Sequence, residues 1–282
     1  MNIIDCKKIR QEMLDEAKLK VKEIKDSTGD ELKLVVIQVE GDPASDVYIR
    51  NKIKTCKEVG IECEHIVLPN NISYYELLKV IVDKCSYLYN TGVMLQLPLP
   101  DHLKPYERKL LDLILWYKDV DGLSTESVGR LWTGQYCIAP ATAQGVMRLL
   151  PDSLSGTEVC VVGRSNLVGK PLVKLLEGRN ATVILCHSRT LGLHYMTAGA
   201  DVVITAIGKP KFFDRRYTVG DRQMWIDVGI NRDENGKLCG DVDIDSFKNT
   251  ECSITPVPGG VGQLTTAQLA LNVVKAYYLQ NA

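Results

Sequence analysis

The stretch "TEVCVVGRSNLVGKPLVKLLEG", Thr157 to Gly178, decides the fold because it joins a buried strand to a helix through a glycine-containing turn. The apolar run ends at Gly163, and a helix is predicted to begin near Lys170, with Pro171 in its first turn, where a missing N–H is harmless. Gly163 permits a tight turn, Gly169 permits close approach of a ligand, and the N–H groups at the helix start suit a phosphate. The spacing is Gly-x-Ser-x-x-x-Gly-x-Pro rather than Gly-x-Gly-x-x-Gly, so an ordinary strand-to-helix turn stays open as the alternative.

Strand patterns alternate with helix patterns on both sides of this stretch. After it come "ATVILCHS", "ADVVITAIG" and "MWIDVGIN", so the segment from Leu154 to Asn231 has the strand-turn-helix order of a dinucleotide-binding half. Before it come the strand candidates "LKLVVIQV", "CEHIVLP" and "GVMLQLPLP". We therefore predict an α/β fold of two α/β lobes flanking a cleft, the second a Rossmann-like dinucleotide-binding domain with mostly parallel sheet.

Helix signals complete this outline of the chain. An amphipathic first helix is predicted over about Asp5 to Lys25, and Ser45 is expected to cap a helix that runs to Gly60. Ser73 with Glu76 forms a capping box for the next helix. The predicted domains are residues 1–140, onto which a final helix at about 265–282 packs, and residues 141–264.

Composition narrows the possible functions. The 282 residues are 45% hydrophobic and 24% charged with a formal net charge of −1, so no positive field attracts nucleic acid or an anionic membrane. No apolar run reaches the length of a bilayer-spanning helix, and the amino-terminal stretch lacks an apolar signal core. The nine cysteines form no Cys-x-x-Cys and the four histidines no ligand spacing, which predicts no metal site and a reduced, cytoplasmic protein.

The stretch "SDVYIRNK" places Tyr48 and Lys52 four residues apart in the first lobe. On a helix these two side chains share one face. Tyr-x-x-x-Lys is also the signature of short-chain dehydrogenases, but there the glycine-rich loop comes first, whereas here it follows. A chance pair on a surface helix is the other alternative.

The end of the strand "VILCHSRT" bears on the cofactor. NAD-binding folds usually place an acidic residue there to accept the ribose hydroxyls, and this sequence has none. Ser188 and Arg189, with Arg164 from the earlier turn, suit a 2′-phosphate, which favours NADP over NAD. The alternative is that all three are solvated surface residues.

Three other segments carry polar or glycine-rich patterns at predicted strand ends and turns. Gln96 follows a predicted parallel strand, where α/β sites usually form, although a satisfied strand-end amide is the simpler explanation. Asp121 precedes Gly122 and either accepts hydrogen bonds from a heterocycle or caps its own turn. The loop "TPVPGGVGQLT" allows backbone atoms to approach a planar ligand closely.

Taken together, the segments resemble a known family. The motifs "GDPASDVYIRNKIKTCKEVGI", "QLPLP", "KDVDGL", "VVGRSNLVGKP", "ATVILCHSRT", "IDVGINR", "GDVD" and "ITPVPGGVG" occur in the order and spacing of the methylenetetrahydrofolate dehydrogenase/methenyltetrahydrofolate cyclohydrolase family, from about Leu32 to the final helix. The resemblance implies that 5,10-methylenetetrahydrofolate passes a hydride to NADP and that water then opens the methenyl product to 10-formyltetrahydrofolate. It assigns residues 1–140 to folate binding and catalysis and residues 141–264 to NADP binding.

The resemblance also implies roles for individual residues. Lys52 matches the catalytic group of the hydrolytic step, Tyr48 packs beside the folate, Gln96 hydrogen-bonds the lysine, and Asp121 holds the pterin. An amide partner accepts from the ammonium without adding a negative charge that would favour the protonated lysine, and a cationic substrate favours the neutral amine. The residues matched to substrate binding are Tyr48, Leu97, Asp121, Pro258, Gly259 and Gly262. The residues matched to the cofactor or its cleft are Thr142, Gly163, Arg164, Ser165, Gly169, Ser188, Arg189, Gly208, Ile230 and Thr265.

The chain departs from the family pattern at several positions. Gln263 and Leu264 replace the usual Pro-Met, Trp116 stands where a proline usually precedes "KDVDG", and Ala141 and Ala143 replace a cysteine and a proline. These departures affect cofactor affinity and loop rigidity rather than the reaction class. The family further implies a homodimer and a cytoplasmic role in one-carbon metabolism and purine biosynthesis. The alternatives are a monofunctional dehydrogenase of this family and an inactive nucleotide- or folate-binding protein.

Overall fold

The computed structural model describes residues 1–41, 43–218 and 222–281, except for the side chains at positions 43, 44, 45 and 47. The helices are α1 Cys6–Thr28, α2 Pro43–Glu58, α3 Tyr74–Ser86, α4 Glu107–Leu111, α5 Thr125–Trp132, α6 Ala141–Met147, α7 Gly169–Glu177, α8 Leu193–Ala198 and α9 Val261–Gln280. The strands are β1 Asn2–Ile3, β2 Lys33–Val39, β3 Glu62–Leu68, β4 Gly92–Leu95, β5 Glu158–Val162, β6 Thr182–Cys186, β7 Val202–Thr205, β8 Met224–Asp227, β9 Asn231–Arg232, β10 Leu238–Cys239 and β11 Ser253–Ile254. Short 3-10 turns cover Lys104–Tyr106, Arg215–Tyr217 and Ile244–Phe247.

The chain divides into two compact units. Glu12–Ala141 and Thr266–Ala282 form one, here called the three-stranded unit, and Met1–Gln11 and Thr142–Thr265 form the other, the six-stranded unit. The predicted first domain included residues 1–140 without a break, and the structure differs at its start. Met1–Gln11 belongs to the six-stranded unit because β1 pairs in parallel with β11, a pairing of two residues that is too short to read from the sequence.

The three-stranded unit contains a parallel sheet with strand order β3-β2-β4. Side chains alternate between the two faces of a strand, and Val35, Ile37 and Val39 of β2 lie in one apolar cluster with Leu77 and Ile81 of α3. The predicted capping box starts α3 as expected, since Ser73 Oγ accepts from the Glu76 N–H at 3.3 Å. The carboxyl ends of β2 and β4 therefore lie at one edge of a well-packed layer.

The six-stranded unit contains a fully parallel sheet with strand order β1-β11-β8-β7-β5-β6. Along β5, Val159 and Val161 pack into one apolar cluster, while Cys160 and Val162 pack into another. Burial on both faces is typical of parallel sheets covered by helices. This confirms the predicted α/β class with a mostly parallel, Rossmann-like sheet in the second half of the chain.

Helix ends and short strands differ from the sequence predictions in detail. Helix α2 begins at Pro43, so Ser45 lies inside the helix rather than at its N-cap, and its side chain is outside the described part. Helix α9 begins at Val261, four residues before the predicted Thr265, directly after the glycine loop. The antiparallel β9–β10 hairpin was not predicted. Two-residue strands carry too little periodicity to be recognised without their partners.

Candidate active site

Lys52 and Gln96 meet in the three-stranded unit. The Lys52 Nζ donates a hydrogen bond to Gln96 Oε1 at 3.1 Å. Gln96 directly follows β4, and its backbone N–H continues the ladder by donating to the Ile37 carbonyl at 2.8 Å. Its side-chain Nε2 donates to the Leu97 carbonyl at 2.5 Å, which turns the amide oxygen toward the lysine. The Leu97–Pro98 peptide bond beside this contact is cis.

Helix α2 presents the other members of this group on one face. Tyr48 is 40% exposed, Lys52 one turn later is half-buried, and Cys56 one turn further is buried. The hydrogen bond that the Cys56 thiol donates to Cys63, together with burial, raises the pKa of Cys56, while the Lys52 charge opposes that rise. Lys52 therefore stands at the boundary between the exposed and buried parts of the helix face, within reach of both solvent and the end of the sheet.

Asp121 lies in a turn whose hydrogen bonds are made by a neighbouring aspartate, Asp119. The buried Asp119 accepts from the Ser124 N–H at 2.8 Å and from Ser127 Oγ at 2.8 Å, and its carbonyl accepts from the Gly122 N–H at 3.1 Å. Burial raises the pKa of Asp119, and the hydrogen bonds from Ser124 and Ser127 oppose that rise. Asp119 thus supplies the hydrogen bonds that close the turn, and Asp121 is half-buried beside it. Sequence reasoning missed Asp119; the serines three and six residues after Asp121 were the available signal.

The turn from Gly163 to Gly169 packs tightly in the six-stranded unit. Gly163 has φ of +130°, and a Cβ there would lie 2.3 Å from the Ala206 carbonyl oxygen. A Cβ at Gly169 would lie 1.9 Å from the Gly163 carbonyl oxygen. Both positions therefore require glycine: the segment after β7 lies against Gly163, and the start of α7 folds back onto the end of β5 at Gly169.

The start of α7 has the properties of an anion site. Within the described residues, no side chain caps this helix, whose N-cap position is Val168. Ser165 braces the turn, since its Oγ accepts from the Val168 N–H at 3.2 Å and its carbonyl accepts from the Lys170 N–H at 3.1 Å. Arg164 and Ser165 are exposed. A glycine cradle at a helix start, flanked by the exposed Arg164 and Ser165, fits the phosphates of a dinucleotide.

The residues proposed for a 2′-phosphate follow the neighbouring strand. β6 pairs with β5 in parallel, with Val162 opposite Cys186, so the segment after Cys186 leaves the same edge of the sheet as Arg164. Ser188 and Arg189 are both exposed there. The turn is fixed by the His187 N–H, which donates to Thr190 Oγ1 at 2.9 Å, and by the Arg189 N–H, which donates to His187 Nδ1 at 3.1 Å.

Four other predicted residues of the six-stranded unit form two neighbouring pairs. Thr265 Oγ1 donates to Thr142 Oγ1 at 3.3 Å. A Cβ at Gly262 would lie 3.3 Å from Ile230 Cδ1, and Ile230 is 43% exposed. The glycine-rich loop before α9 contains Pro258, after a cis peptide bond, and Gly259, which has φ of +100°.

The structure distributes the predicted residues between the units as follows. Tyr48, Lys52, Gln96, Leu97 and Asp121 lie in the three-stranded unit, and Thr142, Gly163, Arg164, Ser165, Gly169, Ser188, Arg189, Gly208, Ile230, Pro258, Gly259, Gly262 and Thr265 lie in the six-stranded unit.

The described ranges contain neither a metal-ligating cluster nor a membrane-spanning helix. There, no group of three or more histidine, cysteine, aspartate or glutamate side chains is arranged to hold a metal ion. No helix in the same ranges combines the length and apolar character required to span a membrane. All nine cysteines are free thiols.

The sequence and the fold both match one family. The family model for the tetrahydrofolate dehydrogenase/cyclohydrolase catalytic domain matches residues 4–121, and that for the family's NAD(P)-binding domain matches residues 140–281. The chain therefore belongs to the tetrahydrofolate dehydrogenase/cyclohydrolase family.

Individual relatives agree over nearly the full length. The bifunctional protein FolD of Lachnoclostridium phytofermentans is 47% identical over 275 residues, which are 96% of each chain. The solved structure of the bifunctional enzyme FolD, a methylenetetrahydrofolate dehydrogenase/cyclohydrolase from Campylobacter jejuni, has a TM-score of 0.93 and 38% identity and covers 100% of this chain and 99% of its own. The Trypanosoma brucei enzyme, solved with NADP cofactor and an inhibitor, has a TM-score of 0.91 and 28% identity over 99% of this chain and 98% of its own.

Proposed function

We propose that this chain is a bifunctional folate enzyme. It oxidises 5,10-methylenetetrahydrofolate to 5,10-methenyltetrahydrofolate with NADP and then hydrolyses the product to 10-formyltetrahydrofolate. Membership of the family and the near full-length match to bifunctional relatives support both activities. The observation that carries the hydrolytic assignment is the 3.1 Å hydrogen bond between Lys52 Nζ and Gln96 Oε1.

The hydrolytic step needs a group that moves a proton while water adds to the methenyl carbon. Lys52 is the proposed group, because its neutral amine can accept the proton of the attacking water. Gln96 holds that amine through a neutral amide oxygen, and the bond from Gln96 Nε2 to the Leu97 carbonyl keeps the amide from turning over. A carboxylate in the same place would favour the protonated lysine and slow the step. Tyr48, on the same helix face, and Asp121 are proposed to position the folate.

The oxidative step needs placement of two rings more than acid–base chemistry. Bound NADP supplies a nicotinamide ring that accepts the hydride from the methylene carbon. The protein contributes orientation: the Gly163–Gly169 turn and Ser165 are proposed to hold the pyrophosphate, and Gly208, Ile230 and Thr265 the nicotinamide end. The absence of an acidic residue after β6, together with Ser188 and Arg189, supports NADP rather than NAD.

The test is a coupled assay on the purified protein. Incubation with 5,10-methylenetetrahydrofolate and either NADP or NAD is followed by the absorbance of reduced cofactor and of the methenyl product at the same time. We expect reduction of NADP without methenyl accumulation. Accumulation of methenyl would favour a monofunctional dehydrogenase, and tight binding without turnover would favour an inactive binding protein; either result contradicts the bifunctional proposal.

The remaining proposals follow the family resemblance. We propose a homodimer and a cytoplasmic role that supplies 10-formyltetrahydrofolate for one-carbon metabolism, including purine biosynthesis. Sedimentation equilibrium of the purified chain tests the dimer, and a monomer at micromolar concentration would contradict it.

A further inference from the structure

One buried carboxylate in the six-stranded unit gathers donors from two separate loops. Asp241 is fully buried, with 0% exposure. Its Oδ2 accepts from the N–H groups of Ile207 at 2.7 Å and Gly208 at 3.3 Å. Its Oδ1 accepts from the Lys209 N–H at 2.8 Å and from Asn231 Nδ2 at 2.9 Å. Each of the two carboxylate oxygens of Asp241 therefore accepts two hydrogen bonds.

The two loops leave neighbouring strands at the same edge of the sheet. The segment Ile207–Lys209 follows β7, and Asn231, the first residue of β9, comes four residues after the end of β8, which pairs with β7 in parallel. In open parallel sheets, ligands bind outside the carboxyl ends of the strands. The Ala206 carbonyl also lies against Gly163, so the first of these loops adjoins the glycine turn.

A second carboxylate fixes the position of the first. Asp227 Oδ1 accepts from the Asp241 N–H at 3.0 Å, and its Oδ2 accepts from the Val242 N–H at 2.8 Å. Two glycines make room for the pair: a Cβ at Gly240 would lie 1.9 Å from Asp227 Oδ2, and a Cβ at Gly229 would lie 2.3 Å from Asp241 Oδ1. The Asp241 side chain therefore has little freedom to move away from the loops.

We infer that Asp241 is a positioning residue for the dinucleotide cofactor: its carboxylate holds the Ile207–Lys209 segment and Asn231 in the shape that receives the nicotinamide end. This inference rests on the proposed function, because it assumes that the edge formed by β7 and β8 receives the cofactor. Asp241 is fully buried behind the loops and acts through them. The sequence motif "GDVD" contains Asp241 but gives no indication of the donors, which lie 10 to 34 residues earlier in the chain.

The informative replacement is Asp241→Asn, which keeps the shape of the side chain. An amide has one oxygen, so in either orientation its NH₂ faces two donors and leaves them without an acceptor. We expect the Kd for NADP, measured by calorimetry or tryptophan fluorescence, to rise about 10- to 100-fold. Hydrolysis of methenyltetrahydrofolate assayed without cofactor is expected to stay within about twofold of the wild type.

A reciprocal variant separates positioning from simple loss of fold. In Asp241→Asn/Asn231→Asp the new carboxylate at position 231 accepts from the amide at 241, while the retained oxygen accepts from Ile207 and Gly208. We expect NADP affinity to recover by about tenfold relative to the single variant. The smaller change Asn231→Ala removes one donor and is expected to raise the Kd only about threefold.

The matched control is Asp243→Asn, the same charge change two residues away. Asp243 is half-buried and makes no side-chain capping bond to the turn that follows it, so its replacement should leave NADP binding unchanged. The inference fails if a folded Asp241→Asn protein binds NADP as the wild type does, or if binding and cofactor-free hydrolysis fall in parallel. A wild-type protein that does not bind NADP would contradict the proposed function itself, which these variants do not test.

Discussion

The two units place function in different parts of their structure. In the three-stranded unit the proposed chemistry depends on one side-chain pair, Lys52 and Gln96. This pair lies at the end of the sheet, outside the buried apolar cluster of the unit. In the six-stranded unit the proposed cofactor site consists of backbone loops, which the buried Asp227 and Asp241 hold in place. In the three-stranded unit the residues proposed for catalysis are separate from those that stabilise the fold. In the six-stranded unit the residues that shape the proposed cofactor site also stabilise the fold.

This difference has a physical origin. A proton-transfer group must reach both substrate and solvent, so it sits half-exposed and its removal costs little packing. A dinucleotide needs many N–H donors in a fixed array. Such an array is stable only if buried polar groups hold the loops that supply the donors. Replacements of Lys52 and Gln96 should therefore change rates, while those of the residues that shape the proposed cofactor site should change stability or affinity as well.

The largest expected effect is on the hydrolytic rate of Lys52→Met. Loss of the proton-transfer group should lower methenyl hydrolysis by about 10²- to 10⁴-fold, while the midpoint of thermal unfolding and the affinity for NADP stay close to wild type. Lys54→Met, an exposed lysine two residues later, is the control and should retain full activity. Equal hydrolysis by Lys52→Met and wild type would remove Lys52 from the mechanism.

The next effect concerns the pH dependence of stability. Burial raises the pKa of Asp227 to about 7 from its ordinary 3.8, although backbone N–H groups from Val242, Asp241 and Gly229 oppose the rise. The protonated form is therefore favoured in the folded state, and the stability that this group contributes is complete below about pH 4 and is lost as the pH rises to about 7. The total change is about 4 kcal/mol, because each pKa unit corresponds to about 1.4 kcal/mol.

Asp227→Asn removes this titration. The difference in unfolding free energy between wild type and variant, from urea titrations at several pH values, should fall between about pH 4 and pH 7 and stay flat above. Contributions from groups that do not interact with Asp227 cancel in the difference. A constant difference across this range would show that the Asp227 carboxyl does not titrate there.

A pair of glycine replacements compares the two units directly. Gly169→Ala would place a Cβ 1.9 Å from a backbone oxygen, so we expect a loss of about 3 kcal/mol in unfolding free energy. Gly129→Ala, within α5 of the three-stranded unit, meets no described atom within 4 Å and should stabilise the protein by about 0.5–1 kcal/mol. Urea denaturation measures both changes in unfolding free energy. The comparison requires that Gly169→Ala lowers this free energy and that Gly129→Ala raises it.

The smallest expected effect is on cofactor preference. Arg189→Gln should raise the Kd for NADP about tenfold and change the Kd for NAD by less than about twofold, because only NADP carries the 2′-phosphate. Arg222→Gln is the control, since that arginine is exposed and pairs with Glu251 at 3.0 Å. An equal loss of affinity for both cofactors would argue that Arg189 has a general rather than a specific role.

Sequence reasoning worked best where the signal is local. The apolar run 159–162 identified β5, the Ser73–Glu76 spacing identified the start of α3, and the i, i+4 spacing predicted that Tyr48 and Lys52 share a face. It was less accurate at boundaries, since α9 begins at Val261 and the Ser45 N-cap was wrong. Helix ends depend on which backbone groups find tertiary partners, which a single segment does not encode.

The sequence by itself determined the α/β class, the order of strands and helices, and the candidate residues, because periodicity and turn chemistry act over a few positions. The resemblance implied that Gln96 hydrogen-bonds Lys52, 44 residues away, but only the tertiary structure decided the 3.1 Å geometry of that contact and the place of β1 in the six-stranded sheet. It also decided that Asp241 binds Ile207, 34 residues earlier. These contacts depend on which strands become neighbours, and that choice is made by burial of the whole apolar surface rather than by any one segment.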